Sequence, residues 1–323
     1  MRLGRLDLNL LVALDRLLTL KSITQAGNEI NLTQSAMSSA LRRLRDYFED
    51  PLLVQVGRRM ELTPRAEALR KPVRDVLLQI EMTVATGLEF DPTTSKREFR
   101  IILSDYTLNV LMPAALAIAS EEGATVGFRL LPQIEFPHAV IDRGDADALI
   151  APGQLVSRDH PTEPLYSDTF VAAAWRDGPL GDALPEMSDA IYRNASHILM
   201  IPEPGLRSFE SDFMMNLGVQ RRYDVGTYTF SSLARLIVGT DKIATIHCGL
   251  ARDAAKWLPL TLHKLPFDGA RIEEHVQWHK FMSSDPALIW LRGLLHRAAS
   301  RITNGTFRMD EIDTRDVPNQ FPE

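Results

Sequence analysis

The stretch that decides the N-terminal fold is residues 33–48, TQSAMSSALRRLRDYF. Its apolar residues recur at steps of three and four, which is the spacing of one buried face of an α-helix. These residues are Met37, Ala40, Leu41 and Leu44. Thr33 stands just before the pattern and can cap the helix, because its hydroxyl accepts a backbone N–H of the first turn. We therefore expect a helix from Thr33 to about Phe48.

The other face of this helix begins with small or amide side chains and ends in arginines. A helix that enters the DNA major groove needs this order, because its N-terminal turn comes close to the base edges. Gln34 can read adenine, and Arg42 can reach guanine or phosphate. The candidate DNA-contacting residues here are Thr33, Gln34, Ser35, Ser38, Ser39, Arg42 and Arg45. The alternative is a solvated polar face on a small helical bundle.

The surrounding residues complete a winged helix-turn-helix pattern. Asp7 can cap a first amphipathic helix, and Thr24 can cap a short second helix. Residues 52–62 read as strand, turn and strand. Arg58 and Arg59 lie at the tip of this wing, where contact with the DNA backbone or minor groove is expected.

A long amphipathic helix follows the wing. Thr63-Pro64 can start it, because proline suits the first helical position, and apolar residues then recur at helical spacing as far as Val84. No neighbouring element in the sequence obviously covers this stripe, so we expect it to pack against a second copy of itself. Pro72 lies within it and predicts a kink or an unpaired carbonyl.

Strands and helices alternate from Phe99 onward, which predicts βαβ units and a largely parallel sheet in two α/β lobes. The residues from Asn304 onward are polar with little periodicity and are interpreted as a loose tail. The predicted domains are a winged helix-turn-helix at 1–62, a linker helix and hinge at 63–92, a two-lobed α/β domain at 93–302 and a tail at 303–323. Lobe 1 comprises about 93–165 and 270–302, and lobe 2 about 166–269.

Composition limits the class of protein. The 323 residues carry a net charge of −6, but residues 1–66 carry +3 and the remainder −9, so a basic head precedes an acidic body. The longest nearly unbroken apolar stretch, 110–119, is shorter than the ~20 residues of a membrane span. The N-terminus lacks a signal-peptide pattern. We expect a cytoplasmic protein without membrane contact.

Catalytic and metal sites are not indicated. The sequence has no Gly-x-Ser-x-Gly elbow, no phosphate-binding glycine loop and no His-Glu-x-x-His run. His247-Cys248 lacks further metal ligands at useful spacing. His275 and His279 fall on a predicted strand, where they lie too far apart to share an ion. We expect no enzyme activity, no metal and no cofactor.

The head also carries a recognisable motif. The runs SITQA at 22–26 and NLTQSAMS at 31–38, followed by Leu41 and Leu44, resemble the DNA-binding signature of LysR-type transcriptional regulators. The segment LDLNLL at 6–11 resembles a branch that includes rhizobial nodulation regulators and regulators of aromatic-compound degradation. Segments RIILSD at 100–105, GTDKIAT at 239–245 and SDPALIWLR at 284–292 agree with that branch.

The resemblance implies a function as well as a fold. It implies a winged-helix head, a dimerising linker helix, an effector domain similar to periplasmic binding proteins, and tetramers built from dimers. The implied partners are double-stranded promoter DNA, a small-molecule effector and RNA polymerase. Two positions depart from the family pattern: Gly27 replaces the usual alanine, and Ser35 replaces the usual proline.

Candidate effector contacts lie at the carboxyl ends of predicted strands, where open α/β sheets bind small molecules. These residues are Ser104, Asp105, Tyr106, Pro132, Gln133, Ile201, Pro202 and His247. The resemblance places the effector between the lobes and adds Leu108 as the start of an opened helix and Phe230 as apolar wall. A flat, partly polar effector, hence an aromatic or phenolic inducer, suits such a cleft. The alternatives are that Asp105 caps the next helix and that Phe230 belongs to the core.

The resulting hypothesis is a ligand-responsive transcriptional regulator. Its main alternative is a DNA-binding repressor that responds to no ligand. An enzyme and an exported solute-binding protein are remoter alternatives, because the sequence carries neither a catalytic set nor a signal segment.

Overall fold

The computed structural model describes residues 7–85, 89–133, 137–181, 187–202, 208–267 and 271–306. The chain divides into two compact units. The N-terminal unit comprises residues 1–88 with the short segments 139–145 and 281–285, and the sheet unit comprises the rest. Within the described ranges, none of the helices is long and apolar enough to cross a membrane.

The N-terminal unit consists of helices and a small hairpin, as the sequence predicts. Its elements are α1 (Leu8–Leu20), α2 (Ile23–Glu29), α3 (Gln34–Phe48), β1 (Leu53–Val56), β2 (Arg59–Leu62) and α4 (Pro64–Ala85). Strands β1 and β2 are antiparallel, with Val56 opposite Arg59 next to the turn. The winged helix-turn-helix pattern is therefore present in this unit.

Side-chain caps fix the starts of the first helices. The Asp7 carboxylate accepts a hydrogen bond from the Leu10 N–H at 2.8 Å, as predicted for α1. The predicted cap of α2 is wrong: the Ser22 hydroxyl, not Thr24, accepts the Gln25 N–H, at 3.3 Å. Ser22 has extended backbone angles, whereas Thr24 already lies inside the helix and cannot cap it.

Helix α4 packs against the other helices of its own chain, which the sequence interpretation did not foresee. Ala66, Val73 and Leu77 belong to the same buried core as residues of α1 and α3. The expectation that no neighbouring element covers the apolar stripe is therefore wrong for these three positions. Val76 and Val84 remain exposed, with 42% and 77% of their surface accessible.

The sheet unit contains the remaining elements. They are β3 (Glu98–Leu103), α5 (Asp105–Val110), α6 (Met112–Glu121), β4 (Gly127–Pro132), α7 (Pro137–Asp142), β5 (Ala148–Pro152), β6 (Thr162–Trp175), α8 (Asp189–Asn194), β7 (Ser196–Met200), α9 (Phe209–Asn216), β8 (Arg222–Thr227), α10 (Leu233–Ile237), β9 (Ile243–His247), α11 (Cys248–Ala255), β10 (Leu260–Lys264), β11 (Arg271–Gln277) and α12 (Pro286–Thr306). Of α7, only the first two residues belong to the sheet unit, and residues 139–142 belong to the N-terminal unit.

The sheet is mixed rather than largely parallel. Its order is β4-β3-β5-β11-β6-β9-β7-β8, with β10 also paired to β6. The pairs at the two flanks are parallel, whereas every pair that involves β6 or β11 is antiparallel. Alternation along the chain predicts the parallel flanks correctly. It cannot reveal that β10 and β11 return late in the chain to pair with β6.

Strand β6 connects two lobes. Its residues 162–169 pair with β11, and residues 170–175 pair with β9 and β10. The first lobe therefore holds β3, β4, β5 and β11, and the second holds β7 to β10. Two lobes in one α/β unit confirm the predicted fold class.

Several boundaries differ from the sequence expectation. The alternating pattern predicts one helix at 108–120, but the structure has two, α5 and α6, since Pro113 in the first turn of α6 has no N–H to continue an earlier helix. The predicted tail at 303–323 begins inside α12, which continues to Thr306, and its later residues lie outside the described ranges. The same pattern predicts a helix at 136–143, and its first residue, Phe136, also lies outside the described ranges.

Candidate functional site

Helix α3 presents the predicted polar face to solvent. The inner residues Met37, Leu41 and Leu44 are buried in the core of the N-terminal unit. The exposed candidates are Thr33, Gln34, Ser35, Ser39 and Arg42, and Ser38 is half-buried. A helix with one side in the core and its N-terminal polar side open can enter a major groove without rearrangement.

The first turn of α3 is fixed by hydroxyl groups. The Thr33 Oγ1 accepts a hydrogen bond from the Ala36 N–H at 3.2 Å. The Ser35 hydroxyl lies 3.0 Å from Thr33 Oγ1. Ser35 therefore adds a hydroxyl to the cap at the position where the family resemblance leads us to expect proline.

The arginines of α3 have different surroundings. Arg42 is exposed on the polar face. Arg45 is half-buried, and its guanidinium donates to the backbone carbonyls of Pro51 at 2.7 Å and Leu53 at 2.9 Å. These bonds connect the end of α3 to the start of β1. Arg45 thus stabilises the packing of the wing against α3, and its predicted contact with DNA remains a prediction.

The wing tip carries two exposed arginines. Gly57 has a φ of +63°, which favours glycine, and its carbonyl accepts a hydrogen bond from the Gln55 side chain at 3.1 Å. Arg58 and Arg59 follow directly, and both side chains are exposed. The tight turn therefore holds two positive charges at the end of the hairpin.

A pocket lies between the lobes of the sheet unit, at the ends of β3 and β9. Its lining residues are Ser104, Tyr106, Gln133, Pro152, Leu155, Ser208, Phe209, Glu210, Phe230, His247, Ile272 and Glu274. Five predicted effector residues are among them: Ser104, Tyr106, Gln133, Phe230 and His247. The structure places the other five outside this lining: Asp105, Leu108, Pro132, Ile201 and Pro202.

Aromatic rings surround His247 in this pocket. Tyr106 stacks on the imidazole with 3.7 Å between ring centroids. Phe230 meets it edge-on at 4.6 Å, and Phe170 lies at 4.5 Å. Burial lowers the pKa of His247 to about 3, so the ring is uncharged at pH 7. The wall of the pocket is therefore aromatic and neutral here.

Tyr106 links the pocket to a buried acid. Its hydroxyl donates to Asp168 Oδ2 at 2.9 Å, and the Gly249 N–H donates to the same oxygen at 3.1 Å. Burial raises the pKa of Asp168 to about 6, and these two hydrogen bonds oppose that rise. The first bond connects α5 of the first lobe to β6, and the second bond connects the start of α11 in the second lobe to the same strand.

Glu274 is a lining residue that the sequence interpretation missed. It lies on β11 and is 1% exposed. Burial, with a smaller contribution from Asp168, raises the pKa of its carboxyl to about 8. The sequence offered one signal for it. Ile272, Glu274 and Val276 are every second residue of a strand and so share one face, which the two apolar residues mark as the buried one.

Asp105 acts as a clasp between the lobes. Its carboxylate accepts hydrogen bonds from the backbone N–H groups of Phe230 at 3.1 Å and Ser231 at 2.8 Å. Ser104, not Asp105, caps α5, because its hydroxyl accepts the Thr107 N–H at 3.1 Å.

The pocket between the lobes encloses about 30 Å³. Small-molecule sites usually measure about 300–1,000 Å³, so the lobes must part to admit an aromatic molecule.

The remaining candidates for metal or redox chemistry, Cys248, His275 and His279, do not form a common site. Cys248 is buried, and burial raises the pKa of its thiol to about 11. His275 lies on β11, whereas His279 lies beyond its end, with its ring 4.7 Å from that of His160. In the part of the chain that the structure describes, no group of three or more histidine, cysteine or acidic side chains is arranged to hold a metal.

Two family models match the chain. Residues 8–67 match the bacterial regulatory helix-turn-helix protein, lysR family, and residues 93–300 match the LysR substrate binding domain. The first match covers α1 to the start of α4, and the second covers the sheet unit's strands and most of α12.

Named relatives are similar over nearly the whole length. The chain is 39% identical over 306 residues to nodulation protein D 1 of Mesorhizobium japonicum, which covers 94% of this chain and 96% of the relative. It is 38% identical over 303 residues to nodulation protein D 1 of Bradyrhizobium elkanii, with the same coverage.

Solved structures share the fold. A probable transcriptional regulator from Pseudomonas aeruginosa is 26% identical, with a TM-score of 0.60 over 91% of this chain and 97% of that one. Full-length OxyR from the same organism, with a cysteine-to-aspartate substitution, has a TM-score of 0.70 over 94% and 98% of the two chains. At 14% identity, the second likeness concerns the fold alone.

Proposed function

The chain belongs to the LysR family of bacterial transcriptional regulators, and we propose that it controls a promoter in response to an aromatic or phenolic small molecule. That it is a ligand-responsive regulator follows from the two family matches and from its relatives. The kind of effector, the DNA contacts and the oligomeric state form the proposal.

The observation that carries the DNA-binding part is the exposed polar face of α3. Gln34 and Ser35 stand at its N-terminal turn, and Arg42 lies two turns on. In this proposal Gln34 and Arg42 contact base edges, the neighbouring hydroxyls contact phosphates, and Arg58 and Arg59 contact the DNA backbone beside the groove.

The aromatic effector is supported by the pocket wall. Tyr106, Phe209, Phe230 and the neutral His247 ring line it. Flat rings stack favourably on such walls, and Ser104 supplies a hydroxyl at the same site. The effector would enter by parting the clasp at Asp105, so that binding selects a more open arrangement of the lobes. An effector switches the regulator only if it binds one arrangement better than the other.

Dimerisation is proposed to use α4. Val76 and Val84 offer exposed apolar surface on this helix, and a second copy can cover it. Within this proposal residues 1–62 bind DNA, 63–92 form the dimer and hinge, and 93–302 hold the effector. Dimers associate into tetramers that bend the promoter and contact RNA polymerase as an activator.

The testing experiment is a nuclease footprint on the promoter next to the chain's own gene. We expect two protected major-groove segments about 10 bp apart, as a two-fold dimer requires, and a changed pattern with at least one member of a panel of phenolic and chlorinated aromatic compounds. Absence of protection would contradict the DNA-binding proposal. Protection that no compound changes would favour the alternative, a repressor insensitive to ligands.

A further inference from the structure

Two buried polar side chains that line the proposed effector pocket each carry an atom without a hydrogen-bond partner among the described residues. Glu274 and His247 are 1% and 2% exposed, and both line the pocket. Within the described ranges, Glu274 Oε2 and His247 Nδ1 have no hydrogen-bond partner. A buried polar atom without a partner destabilises the folded state and is rare in folded proteins. Two such atoms at one pocket indicate a place where a ligand supplies the missing partners.

We propose that the Glu274 carboxyl and the His247 imidazole are the polar contacts of the effector, and that they select an uncharged, hydrogen-bonding effector over a carboxylate anion. This inference rests on the proposed function and specifies the chemistry of its pocket.

The charges around Glu274 explain the selection. The described titratable groups that face it from the packed elements are Asp168 and Tyr166 on β6, Tyr106 on α5, His247 at the end of β9, and Glu210 on α9 with its ion-pair partner Arg221. Burial and the nearby Asp168 raise the pKa of Glu274 to about 8, so at pH 7 it carries a proton and can donate it in a hydrogen bond. A carboxylate brought beside these acids would be desolvated and repelled.

His247 supplies a second contact in a fixed orientation. Its ring is held between the stacked Tyr106 and the edge of Phe230. Because the ring is neutral, Nδ1 is either a donor or an acceptor according to the tautomer. A hydroxyl group can serve either role, and an amide offers both a donor and an acceptor. A neutral effector can therefore satisfy both buried atoms without bringing in a charge.

The experiment compares two probes of nearly the same shape. These are 4-hydroxybenzamide, which is uncharged, and 4-hydroxybenzoate, which is an anion. Their dissociation constants are measured on the full chain by tryptophan fluorescence at pH 7 and pH 9, in the wild type and in Glu274→Gln and Glu273→Gln. Glu273→Gln is the matched control, because Glu273 is the neighbouring residue on β11 and its side chain is 58% exposed.

We expect the amide to bind the wild type and Glu273→Gln at least about tenfold more tightly than the benzoate at pH 7. Between pH 7 and pH 9 its affinity should fall about tenfold more in these two proteins than in Glu274→Gln, because a group with a pKa of about 8 loses its proton over that range. Ionisation of the probe itself is common to all three proteins and cancels in this comparison.

Three results would overturn the inference: equal or tighter binding of the benzoate, the same pH dependence in Glu274→Gln as in the wild type, or no amide binding by the wild type. A gel shift of the chain on its own promoter accompanies each series. A wild type that fails to shift the promoter contradicts the proposed function, whereas a wild type that shifts it but gives one of those three results contradicts only the inference about Glu274 and His247.

Discussion

Replacing Glu274 by glutamine should make the stability of the sheet unit less sensitive to pH. The raised pKa means that folding favours the protonated acid, so the contribution of Glu274 is most favourable below its ordinary pKa of 4.5 and is lost as pH rises through about 8. A pKa raised from 4.5 to about 8 corresponds to ~5 kcal/mol. Of this, roughly 4 kcal/mol is lost between pH 5 and pH 9.

Glutamine at this position has nearly the same shape and no titration. Relative to the wild type, Glu274→Gln should therefore gain roughly 4 kcal/mol in free energy of unfolding between pH 5 and pH 9. Any constant cost of burying an amide cancels in that difference, as do the titrations of groups that do not interact with Glu274. Glu273→Gln, on the exposed side of β11, should follow the wild type at every pH.

The assay is urea unfolding followed by tryptophan fluorescence at pH 5, 7 and 9. All four tryptophans, Trp175, Trp257, Trp278 and Trp290, belong to the sheet unit, so the signal reports its unfolding and not that of the N-terminal unit. Parallel pH profiles for Glu274→Gln and the wild type would refute the reasoning, because they would mean that Glu274 titrates in the folded protein as it does in the unfolded chain.

Three further predictions follow from single contacts. Asp105→Ala removes the clasp between the lobes and should tighten 4-hydroxybenzamide binding about tenfold, the equivalent of one charge-assisted hydrogen bond; weaker binding would mean that Asp105 contacts the ligand instead. Ser35→Pro should stabilise the N-terminal unit by up to about 1 kcal/mol in thermal unfolding followed by circular dichroism, because the Thr33 cap uses the N–H of Ala36; a clear loss would show that the Ser35 hydroxyl matters more. Cys248 should not react with a thiol reagent in the native protein at pH 8, because it is buried and its pKa is about 11; rapid labelling would contradict its burial.

The sequence was sufficient where structure is decided locally. The spacing of Met37, Leu41 and Leu44 and the cap at Thr33 determine α3, and the structure shows both. Asp7 and the turn at Gly57 are local signals of the same kind. Strand ends likewise led to Ser104, Tyr106, Gln133 and His247, which line the pocket, because the edge at which parallel strands end can be read from their order. Phe230, the fifth predicted residue in the lining, came from the family resemblance.

Long-range pairing was beyond the sequence interpretation. The antiparallel return of β11 to β6 brings Glu274 to the pocket, and no local pattern states which strand it joins. The same holds for Asp105, which bonds to the backbone of Phe230 and Ser231 more than a hundred residues away. The DNA contact that spacing predicts for Arg45 stays a prediction, but the bonds of its guanidinium to the carbonyls of Pro51 and Leu53 could not be predicted, because only the folded chain brings these groups together.

The central claim is that the open face of α3 contacts DNA, and promoter affinity of the full-length Arg42→Ala variant measures this most directly. Arg222→Ala is the matched control. It also replaces an exposed arginine and so removes one positive charge, but Arg222 lies on β8 of the sheet unit. Loss of a base contact of about 1–3 kcal/mol predicts roughly 5- to 150-fold weaker binding for Arg42→Ala. The Arg222→Ala variant should bind like the wild type. Equal affinities for Arg42→Ala and the wild type would contradict the account.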